Sequence, residues 1–150
     1  MRWFAYTHPL ATDVPGGLWD NCASMAATIL VIDDDINMRE LLSLHLTNAG
    51  YAVMAAEDAI RAGHIVLRSP PDLIICDVHM PHMNGFEFVA ALRDDKSLPN
   101  IPVIFLTTEE EGDILGQGLG AVGYVTKPVR ADKLLAIVAR HVPGGAQPIG

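Results

Sequence analysis

Short apolar runs alternate along this chain with segments of helical period. Ile29-Leu30-Val31-Ile32, Leu73-Ile74-Ile75-Cys76 and Val103-Ile104-Phe105-Leu106 are apolar throughout, as expected of strands covered on both faces. Strands are predicted over 28–32, 51–55, 72–76, 101–106 and 122–126, and helices over 36–49, 57–68, 85–94, 110–119 and 130–141. On the first helix Met38, Leu41, Leu42, His45 and Ala49 keep helical spacing, and Gly50 stands where a helix stops. Phe86, Val89 and Leu92 do the same on the third, and Leu134, Ile137, Val138 and His141 on the fifth. Pro70-Pro71 and the stretch from Pro99 to Pro102 read as loops.

Five strand–helix units joined by right-handed crossovers form a three-layer α/β sandwich. The commonest arrangement is a five-stranded parallel sheet of order 2-1-3-4-5 with helices on both faces, doubly wound and flavodoxin-like. The pattern occupies residues 27–142. Residues 1–26 hold Trp3, Trp19, Pro9, Pro15 and Gly16-Gly17 with no period, and are expected to be a disordered extension. Met25, just ahead of the first strand, is a candidate translation start. Residues 143–150 read as a flexible Gly/Pro-rich tail, and no further domain is expected after it.

Composition narrows the function classes. At 150 residues, half of them hydrophobic, the chain can bury one core. A net charge of -8 argues against a nucleic-acid surface. No apolar run approaches the roughly 18 residues of a membrane span, and no secretory signal is evident. Cys22 and Cys76 make no disulfide framework, so a cytoplasmic location is the default expectation.

The chemistry gathers where the strands end. Asp33-Asp34-Asp35 follows the first strand, Asp77 the third, Thr107 the fourth and Lys127-Pro128 the fifth. An open parallel sheet builds its site at the carboxyl ends of its strands. Several carboxylates, a hydroxyl and one amine suit a divalent metal and a phosphoryl group. Two like charges about 4 Å apart repel by roughly 4 kcal/mol at an effective dielectric near 20, so such a cluster calls for a cation. Hard oxygen ligands favour Mg²⁺, with Mn²⁺ as a substitute. Each element also has a plainer reading. The acidic run could be a solvated loop, Thr107 and Tyr124 ordinary strand residues, and Cys76 a small buried hydrophobe. His79-x-x-His82 lacks the further soft ligands of a zinc site. Glu109-Glu110-Glu111 fits an acidic first helical turn.

Taken in order, the acidic pair Asp33-Asp34, Asp77-x-x-Met80-Pro81-x-Met83-x-Gly85, Leu106-Thr107 and Lys127-Pro128 resemble the response-regulator receiver domain of two-component signalling. The resemblance covers about 28–142 and suggests a stand-alone receiver. It implies that Asp77 is the phosphoacceptor, and that Asp33, Asp34, Asp77 and the backbone carbonyl of His79 hold Mg²⁺. It implies that Thr107 and Lys127 contact the phosphoryl group, with a cis peptide at Lys127-Pro128. Thr107 and Tyr124 would form the switch, read out on the face of the fourth helix, fifth strand and fifth helix. His79, Thr108 and Glu109 would tune acyl-phosphate chemistry, with Thr108 standing where the family usually has a smaller residue. The implied partners are a histidine kinase or histidine phosphotransfer protein and a downstream protein target. Gly112, Gly116, Gly118 and Gly120 predict a short or frayed fourth helix. The uncharged run 114–122 predicts a monomer or weak dimer. Two other readings compete. One is a phosphatase similar to the haloacid dehalogenase superfamily, which needs a second Asp where His79 stands. The other is a flavodoxin-like binding module without phosphorylation.

Overall fold

The computed structural model describes residues 26–80, 83–107 and 120–142. Five parallel strands form one sheet: β1 (Thr28–Ile32), β2 (Ala52–Ala56), β3 (Leu73–Asp77), β4 (Val103–Thr107) and β5 (Gly123–Thr126). Four described helices accompany them: α1 (Ile36–Asn48), α2 (Ala59–Arg68), α3 (Gly85–Asp94) and α4 (Ala131–His141). The strand order is β2-β1-β3-β4-β5, as expected from the alternation. The helix predicted over 110–119, the extension 1–25 and the tail 143–150 lie outside the described residues.

Local chemistry sets the helix ends. Asp35 caps α1 by accepting the Asn37 N–H at 2.9 Å. Asp58 caps α2 by accepting the Arg61 N–H at 2.8 Å, so that helix begins at Ala59 rather than at 57. Asn84 and Glu87 close a capping box on α3, with reciprocal bonds of 2.8 and 3.0 Å. Each such cap satisfies N–H groups that the first helical turn leaves open. Gly50 follows α1 with φ of 100°, the left-handed conformation that ends a helix.

Two apolar layers flank the sheet. Leu42 and Leu46 of α1 and Leu134 and Val138 of α4 pack on one face with Ile29, Val31, Ile75 and Leu106. Ala62 and Val66 of α2 and Phe88 and Val89 of α3 pack on the other with Leu30, Ile74, Val103 and Phe105. The central strands β3 and β4 are buried along their whole length. One expectation is corrected here. Leu41 is 45% exposed and Leu46 is fully buried, so the buried line of α1 runs through Leu42 and Leu46. His141 is exposed at the end of α4. Strands β2, β3 and β4 also end one residue later than expected, because their ladders continue beyond the apolar runs.

Candidate functional site

The strand register brings the polar residues to one rim. Ile32 pairs with Cys76, Asp77 with Leu106, and Thr107 with Thr126. Asp33, Asp77, Thr107 and Lys127 therefore lie at, or one residue past, the carboxyl ends of β1, β3, β4 and β5.

Asp33 is fully buried. Its backbone N–H donates to the Ala56 carbonyl at 3.2 Å, and its own carbonyl accepts from Arg39 Nη1 at 2.7 Å. Its Oδ1 accepts the Asp35 N–H at 2.9 Å, whereas its Oδ2 has no hydrogen-bond donor. Burial pushes the Asp33 carboxyl up to about 6; the Asp35 N–H opposes this, and the neighbouring Asp77 charge adds to it. Asp77 is 2% exposed, and its Oδ1 accepts the His79 N–H at 3.2 Å. Asp34 is exposed beside them. One carboxylate oxygen from each of Asp33, Asp34 and Asp77 lies within 4.8 Å of the others. Asp35 leaves this group to serve as the helix cap.

Among the described residues one ammonium faces the cluster. Lys127 Nζ lies 3.2 Å from Asp77 Oδ1 and 3.7 Å from Asp33 Oδ2. Burial alone would depress the Lys127 amine, but the charges of Asp77 and Asp33 outweigh it and hold its pKa above the ordinary value. The Lys127 N–H donates to the Thr107 carbonyl at 2.9 Å, which ties the loop after β5 to the end of β4. The Lys127-Pro128 peptide is cis, as the resemblance implied.

The donor set fits a hard divalent cation. Three carboxylates gather within 4.8 Å, two of them beside the Lys127 ammonium, and a buried carboxylate oxygen is left without a donor. A cation liganded by oxygen would answer both the charge and the open valence.

The remaining candidates are placed as follows. Thr107 is buried at the end of β4. Tyr124 is half-buried on β5, pairs in register with Phe105 and stacks on its ring at 6.0 Å. Phe86 meets Phe105 edge-to-face at 4.8 Å, so three aromatic rings run from α3 to β5. His79 is exposed in the loop after β3. Thr108, Glu109 and His82 lie outside the described residues. Burial pushes the Cys76 thiol up, and Cys76 Sγ donates to the Asp77 carbonyl at 3.4 Å, in keeping with a buried structural role.

One contributor, Arg39, escapes a reading of the sequence by residue type, and for another, Gly85, the motif marks the residue but not its contact. Arg39 anchors the backbone of Asp33 from the first turn of α1, and nothing in its spacing marks it apart from other helical arginines. Gly85 stands so close to the end of β3 that a Cβ there would lie 2.5 Å from the Asp77 carbonyl oxygen. The signal for it was the glycine at a helix start, directly after the cap Asn84.

Comparison with known proteins agrees with this fold. Residues 29–139 match the response regulator receiver domain. The chain is similar to the phosphate regulon transcriptional regulatory protein PhoB of Pseudomonas aeruginosa, 35% identical over 126 residues that cover 80% of this chain and 55% of that protein. It is also similar to the DNA-binding dual master transcriptional regulator RpaA of a Synechocystis species, 38% identical over 73% of this chain and 46% of that protein. The chain thus spans about half the length of the curated relatives it matches. Among solved structures, the chemotaxis protein CheY4 of Vibrio cholerae superposes with a TM-score of 0.72 at 37% identity, over 77% of this chain and 98% of that one. The receiver domain of the Francisella response regulator 1452 gives a TM-score of 0.72 at 27% identity, over 78% of this chain and 97% of that one.

Proposed function

Because the chain belongs to the response regulator receiver domain family, we propose that Asp77 is its phosphoacceptor within a metal-binding acidic pocket. The observation that carries the assignment is the Lys127 ammonium 3.2 Å from Asp77 Oδ1, beside three carboxylates gathered within 4.8 Å.

Asp33, Asp34 and Asp77, with the His79 carbonyl, would hold Mg²⁺, and Mn²⁺ could replace it. The ion, when bound, supplies positive charge that offsets repulsion between carboxylate and phosphoryl oxygens. The work of this chain's own residues follows from where they stand. A carboxylate oxygen of Asp77 forms the new bond to phosphorus as the bond to the donor's leaving group breaks, and that electron pair departs with the leaving group. Lys127 holds a positive charge against the same oxygens. Arg39 and the Asp35 N–H fix Asp33 in place. Thr107 donates its hydroxyl to an oxygen of the bound phosphoryl group.

The phosphoryl donor is a histidine kinase or a histidine phosphotransfer protein. Phosphorylation biases the packing around Thr107 and Tyr124, and a downstream protein reads the face of β5, α4 and the segment 110–119. His79, Thr108 and Glu109 tune the lifetime of the acyl phosphate. The chain acts as a signalling module whose chemistry is confined to its own phosphorylation and dephosphorylation. It works in the cytoplasm as a monomer or weak dimer, with 27–142 as its receiver domain. Among the described residues no helix is long and apolar enough to cross a membrane.

Neither competing reading gains support. A dehalogenase-type phosphatase lacks its second Asp, because His79 holds that place. A module without phosphorylation would have no need to gather Asp33, Asp77 and Lys127. The test is intact-mass analysis after incubation with Mg²⁺ and acetyl phosphate or phosphoramidate. One added phosphoryl group, absent with EDTA and in Asp77→Asn, is expected. Sustained turnover of an unrelated phosphomonoester would favour the phosphatase instead.

A further inference from the structure

Among the described residues β2 is an edge strand, and its five residues, Ala-Val-Met-Ala-Ala, include none of the charges or prolines that commonly guard an open edge. Ala52 donates its N–H to the Ala27 carbonyl, and Ala56 accepts the Asp33 N–H. Residues 52, 54 and 56 therefore turn their backbone groups toward β1. Because backbone direction alternates along a strand, Val53 and Ala55 present theirs to the outside.

A groove runs along each side of this edge. On one side Met54 and the half-buried Ile65 floor a groove of about 640 Å³, rimmed by Arg61, His64 and Arg68 of α2. On the other, Ala55 adjoins Ile36 and Leu44 of α1, each 55% exposed, in a groove of about 420 Å³ that Arg39 and Glu40 also line. Among the described residues no carboxylate pairs with Arg61 or Arg68. Glu57 and the cap Asp58 precede α2, but the helix itself and the lining of this groove carry no acidic residue, on a chain of net charge -8.

The geometry points to β2 as a docking edge for an extended segment of a partner protein in which acidic and apolar residues alternate. Such a segment would add a sixth strand to the sheet through Val53 and Ala55. Its side chains would point alternately to the two faces. One set would meet Arg61, His64 and Arg68, and the other would cover Ile36 and Leu44. A second copy of this chain is a poorer occupant. Antiparallel pairing about a two-fold axis normal to the sheet sets α2 beside α2, with Arg61 and Arg68 facing their own kind. A flat membrane is poorer still, because the two grooves lie on opposite faces of the sheet and one plane cannot meet both.

The test uses the full chain and a capped heptapeptide of alternating Glu and Val, followed by NMR of the labelled protein. Saturable shifts are expected at the amides of Val53, Ala55, Arg61 and Arg68. The double variant Arg61→Glu/Arg68→Glu should bind at least tenfold more weakly and should instead take the Lys/Val peptide. Both arginines are exposed, so an unchanged melting temperature serves as the folding control. N-methylation of the peptide on its pairing edge should abolish binding. Asp77→Asn should bind as the wild type does, which separates this site from the phosphoacceptor assignment. Equal binding of the Lys/Val peptide to wild type, or no shift at Val53 and Ala55, would overturn the proposal. So would the same shifts arising from protein concentration alone, or from phosphatidylglycerol vesicles and not from the peptide.

Discussion

Lys127 Nζ lies 3.2 Å from Asp77 Oδ1 although the strands leading to these residues are not neighbours. β4 runs between β3 and β5, so the ion pair bridges the end of β4, where Thr107 stands. Removing the ammonium leaves the carboxylates of Asp77 and Asp33 facing each other without it. Loss of one partner of a buried pair costs several kcal/mol, and the partial exposure of Lys127 reduces that figure. Lys127→Met is expected to lower stability by about 1–2 kcal/mol in EDTA, measured by urea denaturation, and to slow phosphorylation severely. A phosphorylation rate equal to wild type would remove Lys127 from the site.

Asp34 differs from Asp33 and Asp77 in being exposed. It has little to contribute to the metal-free fold and a ligand oxygen to offer an ion. Ligand at about 100 times its Kd stabilises a protein by about 2.7 kcal/mol. Mg²⁺ should therefore raise the melting temperature of the wild type. Asp34→Ala should melt as the wild type does in EDTA and lose most of the rise with Mg²⁺. Coincident wild-type melts with and without Mg²⁺ would contradict the metal site.

Asp33 makes the metal-free protein sensitive to pH. Its carboxyl ionises at about 6 in the folded chain against 3.8 in the ordinary case. Between these values the folded chain binds the proton that the unfolded chain has released. The Asp33 contribution to stability therefore falls as pH rises from about 4 to about 6, and is level above that. In EDTA, urea denaturation across this range should show wild type losing stability relative to Asp33→Asn as pH rises. A constant difference between the two would show that burial does not shift this carboxyl.

Two helical glycines should respond to alanine in opposite directions. A Cβ at Gly63, inside α2, would meet nothing within 4 Å. Gly63→Ala should stabilise the protein by about 0.5–1 kcal/mol through helix propensity and loss of unfolded-state entropy. A Cβ at Gly85 would lie 2.5 Å from the Asp77 carbonyl oxygen and 3.1 Å from Cys76 Sγ. Gly85→Ala should cost about 1–3 kcal/mol and slow phosphorylation by displacing Asp77. Thermal melts of the two variants decide both signs.

Much of this arrangement is legible in the sequence. Continuous apolar runs marked β1, β3 and β4, and a polar residue directly after each run placed the chemistry at one rim. Other features depend on contacts that residue type does not encode. α1 carries Ile36, Met38, Leu41, Leu42, Leu44 and Leu46, apolar on nearly every side. Hydrophobicity therefore could not set the phase of that helix, and only packing selected Leu42 and Leu46 over Leu41. The acidic run also divides in a way that charge alone does not reveal. Asp33 turns into the core and Asp35 turns to the α1 N–H groups. The anchoring of Asp33 by Arg39 and the contact of Gly85 with Asp77 arise from the chain's path in space.

The most direct measurement is chemical location of the phosphoryl group. Borohydride reduces a phosphorylated aspartate to homoserine, and peptide mass mapping then finds the modified residue. After phosphorylation in Mg²⁺, homoserine is expected at position 77 alone, and none after incubation in EDTA. Homoserine at 33 or 34 with position 77 intact, or phosphorylation that survives Asp77→Asn unchanged, would contradict the account.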